Sequence, residues 1–323
     1  MKYLDQIARY RWEGLFLFSL LFPFLCGFDK YLMHVAITIS LNVAMATSMW
    51  LIWTLGLISF AHGGIMGIGA YTSALLLTKY GVPMWIGMWV GAAAAGLFAL
   101  LISFPLMRTR AVYFFMASWA IGEVIKRNFA YFRDFTGGWN GVFNIKAPVL
   151  DLGFISLDFS DRTAFYYLAI LVVSFVILFI YRINKSRTGM MFWSIHEHEL
   201  LAQHIGINVL KQKVIAFTVA CFLAGLAGAL YAHYQTFINP KSFDIWKSEF
   251  ALVHMIVGGL STVGGPVTGA ILLTVIDELL RAAGHFRVIS FGVILIGVVI
   301  LLPGGLESVP ARIRNYLSKD LHK

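Results

Sequence analysis

Apolar runs close to the length of a membrane span recur along this 323-residue chain, with only short charged segments between them. Crossing the hydrocarbon of a bilayer takes about 20 mainly apolar residues in a helix. Ten segments approach that length: 12–28, 31–55, 57–78, 83–105, 111–127, 163–181, 213–236, 248–262, 266–281 and 288–303. Composition agrees with them. The chain is 59% hydrophobic and 13% charged, against about 25% charged residues in soluble domains. A soluble globule would lack the charge to cover its surface, and an aromatic content of 15% excludes disorder. The expected fold is all-α, a single polytopic membrane domain over 1–323 with broken or re-entrant segments and no large soluble appendage.

The net charge of +9 does not point to nucleic acid, because the basic residues sit between apolar runs, where flanking charge orients a membrane protein. Arg182 to Lys213 and the tail from Arg312 are the compact basic segments. They favour cytoplasmic N- and C-termini. Lys2, Arg9 and Arg11 precede an apolar stretch that imitates a signal peptide, yet no small-x-small cleavage site follows, so a retained first span is expected. Cys26 and Cys221 lie inside apolar runs without metal-ligand spacing, and read as small buried hydrophobes.

Two loops are longer than connectors need. Residues 128–162, expected outside, carry Phe135-Thr-Gly-Gly-Trp-Asn-Gly141 and four aspartates. Residues 182–212, expected inside, contain a short helix over 190–205, with Met191, Ile195, Leu200, Leu201 and Ile205 near helical spacing and Gly206 as its stop. Too short and polar to span, it suits a membrane surface or a docking partner; a solvated connector is the plainer alternative. Glycines cluster inside spans, most densely at Gly258-Gly-Leu-Ser-Thr-Val-Gly-Gly-Pro-Val-Thr-Gly-Ala270. Close helix packing explains each cluster. Pro266 adds a broken helix there, and broken helices mark translocation paths in transporters.

Catalytic patterns are missing. There is no Gly-x-x-x-x-Gly-Lys-Ser/Thr loop for ATP, no His-Glu-x-x-His and no Gly-x-Ser-x-Gly. His196, Glu197, His198 and Glu199 are adjacent, so they point in different directions along a helix and suit a solvated face better than one metal. Ionisable residues at membrane depth are few: His62, Glu123, His233, His254, Asp277 and Glu278. Such residues are functional candidates, although Glu123 has Lys126 and Arg127 on the next turn for a local ion pair.

Ser59-x-x-His62 followed by Gly67-Ile-Gly-Ala-Tyr-Thr72 resembles the signature of inner-membrane permeases for branched-chain amino acids, the LivM-type subunits of ATP-binding-cassette importers. Further segments resemble that family in the same order over roughly residues 36–314. They are Thr136-Gly137-Gly138-x-x-Gly141 in the outer loop, and Gly189, Ile195, Glu199, Ala202, Gly206 and Ile207, then Lys213 and Phe217, in the coupling segment. Ala224-Gly-Leu-Ala-Gly-Ala229, Pro240-x-x-Phe243, Gly258-Gly259-Leu260, Gly265-Pro266, Gly269-Ala270 and Pro303-x-Gly-Leu306 complete the series. Leu57 and Ala61 depart from it, standing where the family has a glutamine and a glycine.

The resemblance implies a type II importer permease in the bacterial inner membrane. It implies a LivH-type second permease, two cytoplasmic ATPases and a periplasmic or lipid-anchored solute-binding protein as partners. ATP and Mg would be used by the ATPases, with no cofactor bound by this chain. Residues Ile195, Glu199, Ala202, Gly206 and Ile207 would couple to an ATPase. Thr136, Gly137, Gly138 and Gly141 would face the binding protein. Pathway-lining expectations are Ser59, His62, Gly64, Gly67, Gly258, Gly259 and Ser261. The solute would be a branched-chain amino acid or a related amide, urea or aromatic acid. An ATP-independent carrier or channel is the alternative, disfavoured by the sparse buried charge; an enzyme has no catalytic constellation to stand on.

Overall fold

The structure, a computed structural model, describes residues 14, 16, 18–109, 111–151, 156–281, 286–302 and 304–308. Lys2, Arg9, Arg11, Arg110, Pro303 and the tail from Arg312, as well as part of the first expected span, lie outside them. Residues 18–25 are helical. Asp29 then opens helix α1 (Lys30–Trp53), its carboxylate accepting the Tyr31 amide at 2.7 Å, which satisfies one of the free amides of a helix start. Among the described residues four helices are long and apolar enough to cross a bilayer: α1, α3 (Met84–Leu106), α6 (Arg162–Lys185) and α9 (Val209–Gln235). They stand with α2 (His62–Tyr80), α4 (Ala111–Tyr131), α10 (Ile245–Gly258), α11 (Gly264–Leu279) and α12 (Arg287–Leu301). Between α4 and α6 lie the single turn α5 (Arg133–Thr136) and a two-stranded antiparallel ribbon, β1 (Val149–Asp151) with β2 (Ser156–Asp158). Between α6 and α9 lie α7 (Arg187–Glu197) and α8 (Glu199–His204).

Burial sorts the helices. Helices α1 and α9 are mostly enclosed by protein, whereas α3 and α6 leave roughly half their surface open and expose Leu97, Leu101, Leu171 and Leu178. Those outer faces suit lipid. Helix α9 packs most extensively on α3 and α2, and α1 against α6, α9 and α11. Small residues permit the central crossing: a Cβ on Gly69 would lie 2.1 Å from the Gly225 carbonyl oxygen, and one on Gly228 2.0 Å from that of Met66. Lacking a water-driven force between spans, helices in lipid associate through such close contact.

Several expected boundaries change. The span expected at 57–78 starts at His62, because the chain leaves the helix after Trp53 and runs non-helically and largely buried through residues 54–61. The spans expected at 248–262 and 266–281 are half-helices of 14 and 16 residues, about 21 and 24 Å long against roughly 30 Å of hydrocarbon. Pro266 does not make the break. It sits in the first turn of α11, where a missing amide costs nothing; the interruption is at residues 259–263. The final expected span shortens to the 15 residues of α12. The helix expected over 190–205 is two helices, parted at His198, whose backbone is extended (φ −151°, ψ 94°).

The two long loops occupy opposite ends of the bundle. At one end Lys79 donates to the Asp134 carbonyl, Trp85 to that of Val149, Arg162 to that of Lys30, and Tyr31 to Glu278. At the other, His196 bonds the Trp53 carbonyl at 2.9 Å. Helix α6 joins the two ends.

Candidate functional site

The α7–α8 pair is fixed to the bundle by one face and bare on another. Phe192, Ile195 and Ala202 are buried, while Leu200 is 72% exposed, Leu201 59% and Ile205 69%. Glu199, the first residue of α8, reaches Lys213 at 2.7 Å and is the counter-ion of a lysine side chain only 6% exposed. The last turn closes in a Schellman arrangement: the Gly206 amide donates to the Gln203 carbonyl and the Ile207 amide to that of Ala202. Gly206 adopts φ +90° with open space around it, a conformation L side chains rarely take. Ile207 is half-buried beneath. An exposed apolar corner results.

The interior contains a second arrangement, where the non-helical segment 54–61 meets the start of α2. Its backbone groups are served by serines from remote helices. The Ser118 hydroxyl accepts from the Phe60 amide at 3.0 Å, and the Ser248 hydroxyl accepts from the Gly63 amide and donates to the Phe60 carbonyl, both at 2.8 Å. His62 is fully buried, with Nε2 2.8 Å from Ser48 Oγ. The Ser48 hydroxyl also lies within hydrogen-bond distance of the Met45 carbonyl, and His62 Nδ1 has no partner. Ser59 Oγ, Tyr71 OH and His254 Nδ1 are likewise buried and unpartnered. Each such group costs about 1–3 kcal/mol unless something polar reaches it.

Of the other expected pathway residues, Gly64 packs on Gly122 and Ile125, and Gly67 on Phe129 and Phe243, so a Cβ at either would press on a neighbour. Gly258 touches Gly265 across the α10–α11 hairpin. Gly259, at φ +122°, turns the chain beside Gly304 and Glu307. Ser261 is exposed at the hairpin tip. At the opposite end, Thr136 is buried and donates toward the Phe129 and Phe132 carbonyls. Gly137, Gly138 and Gly141 all take positive φ, and Gly141 lies against Ile238, whose backbone bridges Val142.

Residues 31–303 match the family described as "Branched-chain amino acid transport system / permease component". The chain belongs to that family. It is 30% identical over 294 residues to the high-affinity branched-chain amino acid transport system permease protein LivM of Escherichia coli K12, covering 85% of this chain and 68% of that one. A probable branched-chain amino acid transport permease protein LivH of Methanocaldococcus jannaschii is 26% identical, covering 87% of this chain and 93% of that one. The Escherichia coli K12 LivH is 22% identical over 79% and 87%. This LivM-type permease is therefore a multi-pass membrane subunit of an ATP-binding-cassette importer, working with a second permease and ATPases.

One charged group of the permease escaped the sequence reading. Lys126 pairs with Glu123 at 2.6 Å and with Asp244 at 2.9 Å, and Arg127 with Glu123 at 3.0 Å. That network is neutral, with two acids and two bases. Lys247, one turn into α10, is outside it. Its stem packs beside Gly63, and its ammonium lies 4.8 Å over the ring of Tyr231 on α9. The acid three residues earlier, Asp244, is already occupied by Lys126 and the Ile245 amide. Among the described residues no carboxylate reaches Lys247 within ion-pair distance. An exposed or partly desolvated cation–π contact gives about 0.5–2 kcal/mol. Lys247 was missed because the expected span began at 248, which cast it as a flanking charge.

Proposed function

We propose that this chain is the permease half that carries branched-chain amino acids, or related small polar organic solutes, through an ATP-driven importer by alternating access. The bare apolar corner of α8 carries the reading. Leu200, Leu201 and Ile205 lie outward on a helix that Ile195, Ala202 and the Glu199–Lys213 pair fasten to the bundle. A partner that engages them can push on the membrane helices. That partner is a cytoplasmic ATPase, which supplies the nucleotide site and uses ATP and Mg; this chain binds neither. The α7–α8 end then faces the cytoplasm, as do both termini, and the membrane is the bacterial inner membrane. The opposite end, with Thr136, Gly137, Gly138 and Gly141, receives the solute-binding protein.

Within the permease, Ser59 and His62 offer unpartnered polar atoms to the solute. Gly64, Gly67, Gly258 and Gly259 let the interrupted elements approach closely, and Ser261 marks the tip of the hairpin. A LivH-type permease closes the pathway from the other side. The test is mild-detergent purification from the native host, with co-purifying chains identified and ATPase activity assayed in nanodiscs, for wild type and Gly206→Asp. Two ATPases and a second permease accompany the wild type and are lost from Gly206→Asp. A chain that purifies alone and transports in ATP-free liposomes refutes the importer and makes it a secondary carrier.

A further inference from the structure

We infer that Lys247 is the binding group for the carboxylate of the transported amino acid, held over Tyr231 on the face of α10 that adjoins the start of α2. This rests on the importer function proposed above. Three observations lead to it. Lys247 is the cation that the neutral Glu123–Lys126–Arg127–Asp244 network leaves over, with no acid of the described chain within ion-pair distance. An ionisable side chain of a membrane helix left without an internal partner is a functional-site candidate. The position is also fixed from two sides: Gly63 leaves room for the stem, since a Cβ there would lie 3.1 Å from that of Lys247, and Tyr231 supports the head. Tyr231 is itself edge-on to Phe243, which packs on Gly67.

The ligand chemistry follows from the residues. An ammonium seated on an aromatic face keeps its outward N–H groups for a carboxylate, which would take the charge-assisted bonds the ring cannot supply. The ring and its aromatic neighbours are apolar surface for an aliphatic side chain. The unpartnered Nδ1 of His62, whose neighbour Gly63 packs on Lys247, lies close by in the chain and in the tautomer with a free lone pair there would accept from an α-ammonium group. A zwitterionic aliphatic amino acid presents that combination; urea or a neutral amide offers Lys247 a carbonyl acceptor but no charge to neutralise it.

The experiment uses the assembled importer in proteoliposomes, with ATP inside, its binding protein outside, and radiolabelled L-leucine. Wild type, Lys247→Met and Lys247→Arg are compared. Assembly with the second permease and solute-independent ATPase turnover are read on the same preparations. Lys247→Met should slow leucine uptake at least tenfold with assembly and solute-independent turnover unchanged, and Lys247→Arg should recover at least a third of the wild-type rate. Wild-type uptake by Lys247→Met overturns the assignment and leaves the importer function standing. Loss of the second permease from Lys247→Met also overturns it, by showing that the lysine serves the contact with that chain rather than the solute. No ATP-driven uptake by the wild type removes the importer function and this inference together.

Discussion

Helix α9 approaches α3 so closely that a single methyl group at the crossing is a quantitative test of the fold. A Cβ added at Gly225 would lie 2.4 Å from the Cβ of Ala95, where ordinary contact begins at 3.4 Å, so the helices must part by about 1.0 Å (3.4 − 2.4). A gap of 0.5–1 Å forfeits a quarter to a half of each dispersion contact it opens, and overpacking in a tight interior costs about 1–3 kcal/mol. Gly225→Ala should therefore destabilise the permease by about 2 kcal/mol, roughly a thirtyfold loss in the folded-to-unfolded ratio. Removing the opposing methyl reverses this. With Ala95→Gly in place the nearest atom to the new Cβ is the Cα of Ala92 at 3.2 Å, which a few tenths of an ångström accommodates. Gly228→Ala has no such remedy, because its obstacle is the Met66 carbonyl at 2.0 Å. Gly292→Ala on α12 meets nothing within 4 Å and should be neutral or gain up to about 1 kcal/mol in helix propensity. The assay is thermal unfolding in one detergent, followed by fluorescence-detected size exclusion. The expected order is Gly292→Ala at or above wild type, the Gly225→Ala/Ala95→Gly pair just below, then Gly225→Ala, with Gly228→Ala lowest. A double variant no better than Gly225→Ala refutes the contact, and with it the way α3 and α9 pack.

Two further predictions separate docking from folding. Leu201→Asp puts a charge on the bare face of α8 without touching its buried side, so stability read from thermal unfolding should hold within about 0.5 kcal/mol of wild type, as for ordinary surface substitutions, while the ATPases are lost on purification; retention of both ATPases would clear Leu201 of any docking role. Ser248→Ala removes the acceptor of the buried Gly63 amide and the donor to Phe60, and should cost about 1–3 kcal/mol for the group left unsatisfied. A melting curve that overlays the wild type would show that water takes over from the hydroxyl.

Much of this fold was legible in the sequence because lipid enforces one rule everywhere: apolar length makes a helix. Where that rule misplaced a boundary, the deciding partner was far away in the chain. Met49 to Leu55 and on into residues 57–78 reads as nearly continuous apolar helix, yet residues 54–61 leave the helical path. They can do so inside the protein because Ser118 and Ser248 serve the Phe60 and Gly63 backbone across 58 and 185 residues. No local pattern announces those serines. The break at His198 is similar, since nothing in its composition ends a helix; the two sides are fixed separately, His196 to the Trp53 carbonyl and Glu199 to Lys213. Gly206 was legible for the opposite reason. A glycine after an amphipathic turn states its own backbone conformation, and the Schellman closure followed.

Remote partners also join α7 to the interior. Trp53 stacks edge-on with His196 of α7, and its carbonyl accepts from the same ring. Three residues earlier, Trp50 meets Trp193 edge-on and donates its indole proton to the Leu260 carbonyl in the interruption between α10 and α11. Helices α7 and α8 are thus joined, through one turn of α1, to the interruptions at residues 54–61 and 259–263. Interrupted helices are where backbone can change path without undoing a whole span. If α8 docks the ATPase as proposed, a force on it reaches these two segments through the indole contacts, and one of them, residues 54–61, leads directly into His62 and the Gly63 that packs on Lys247.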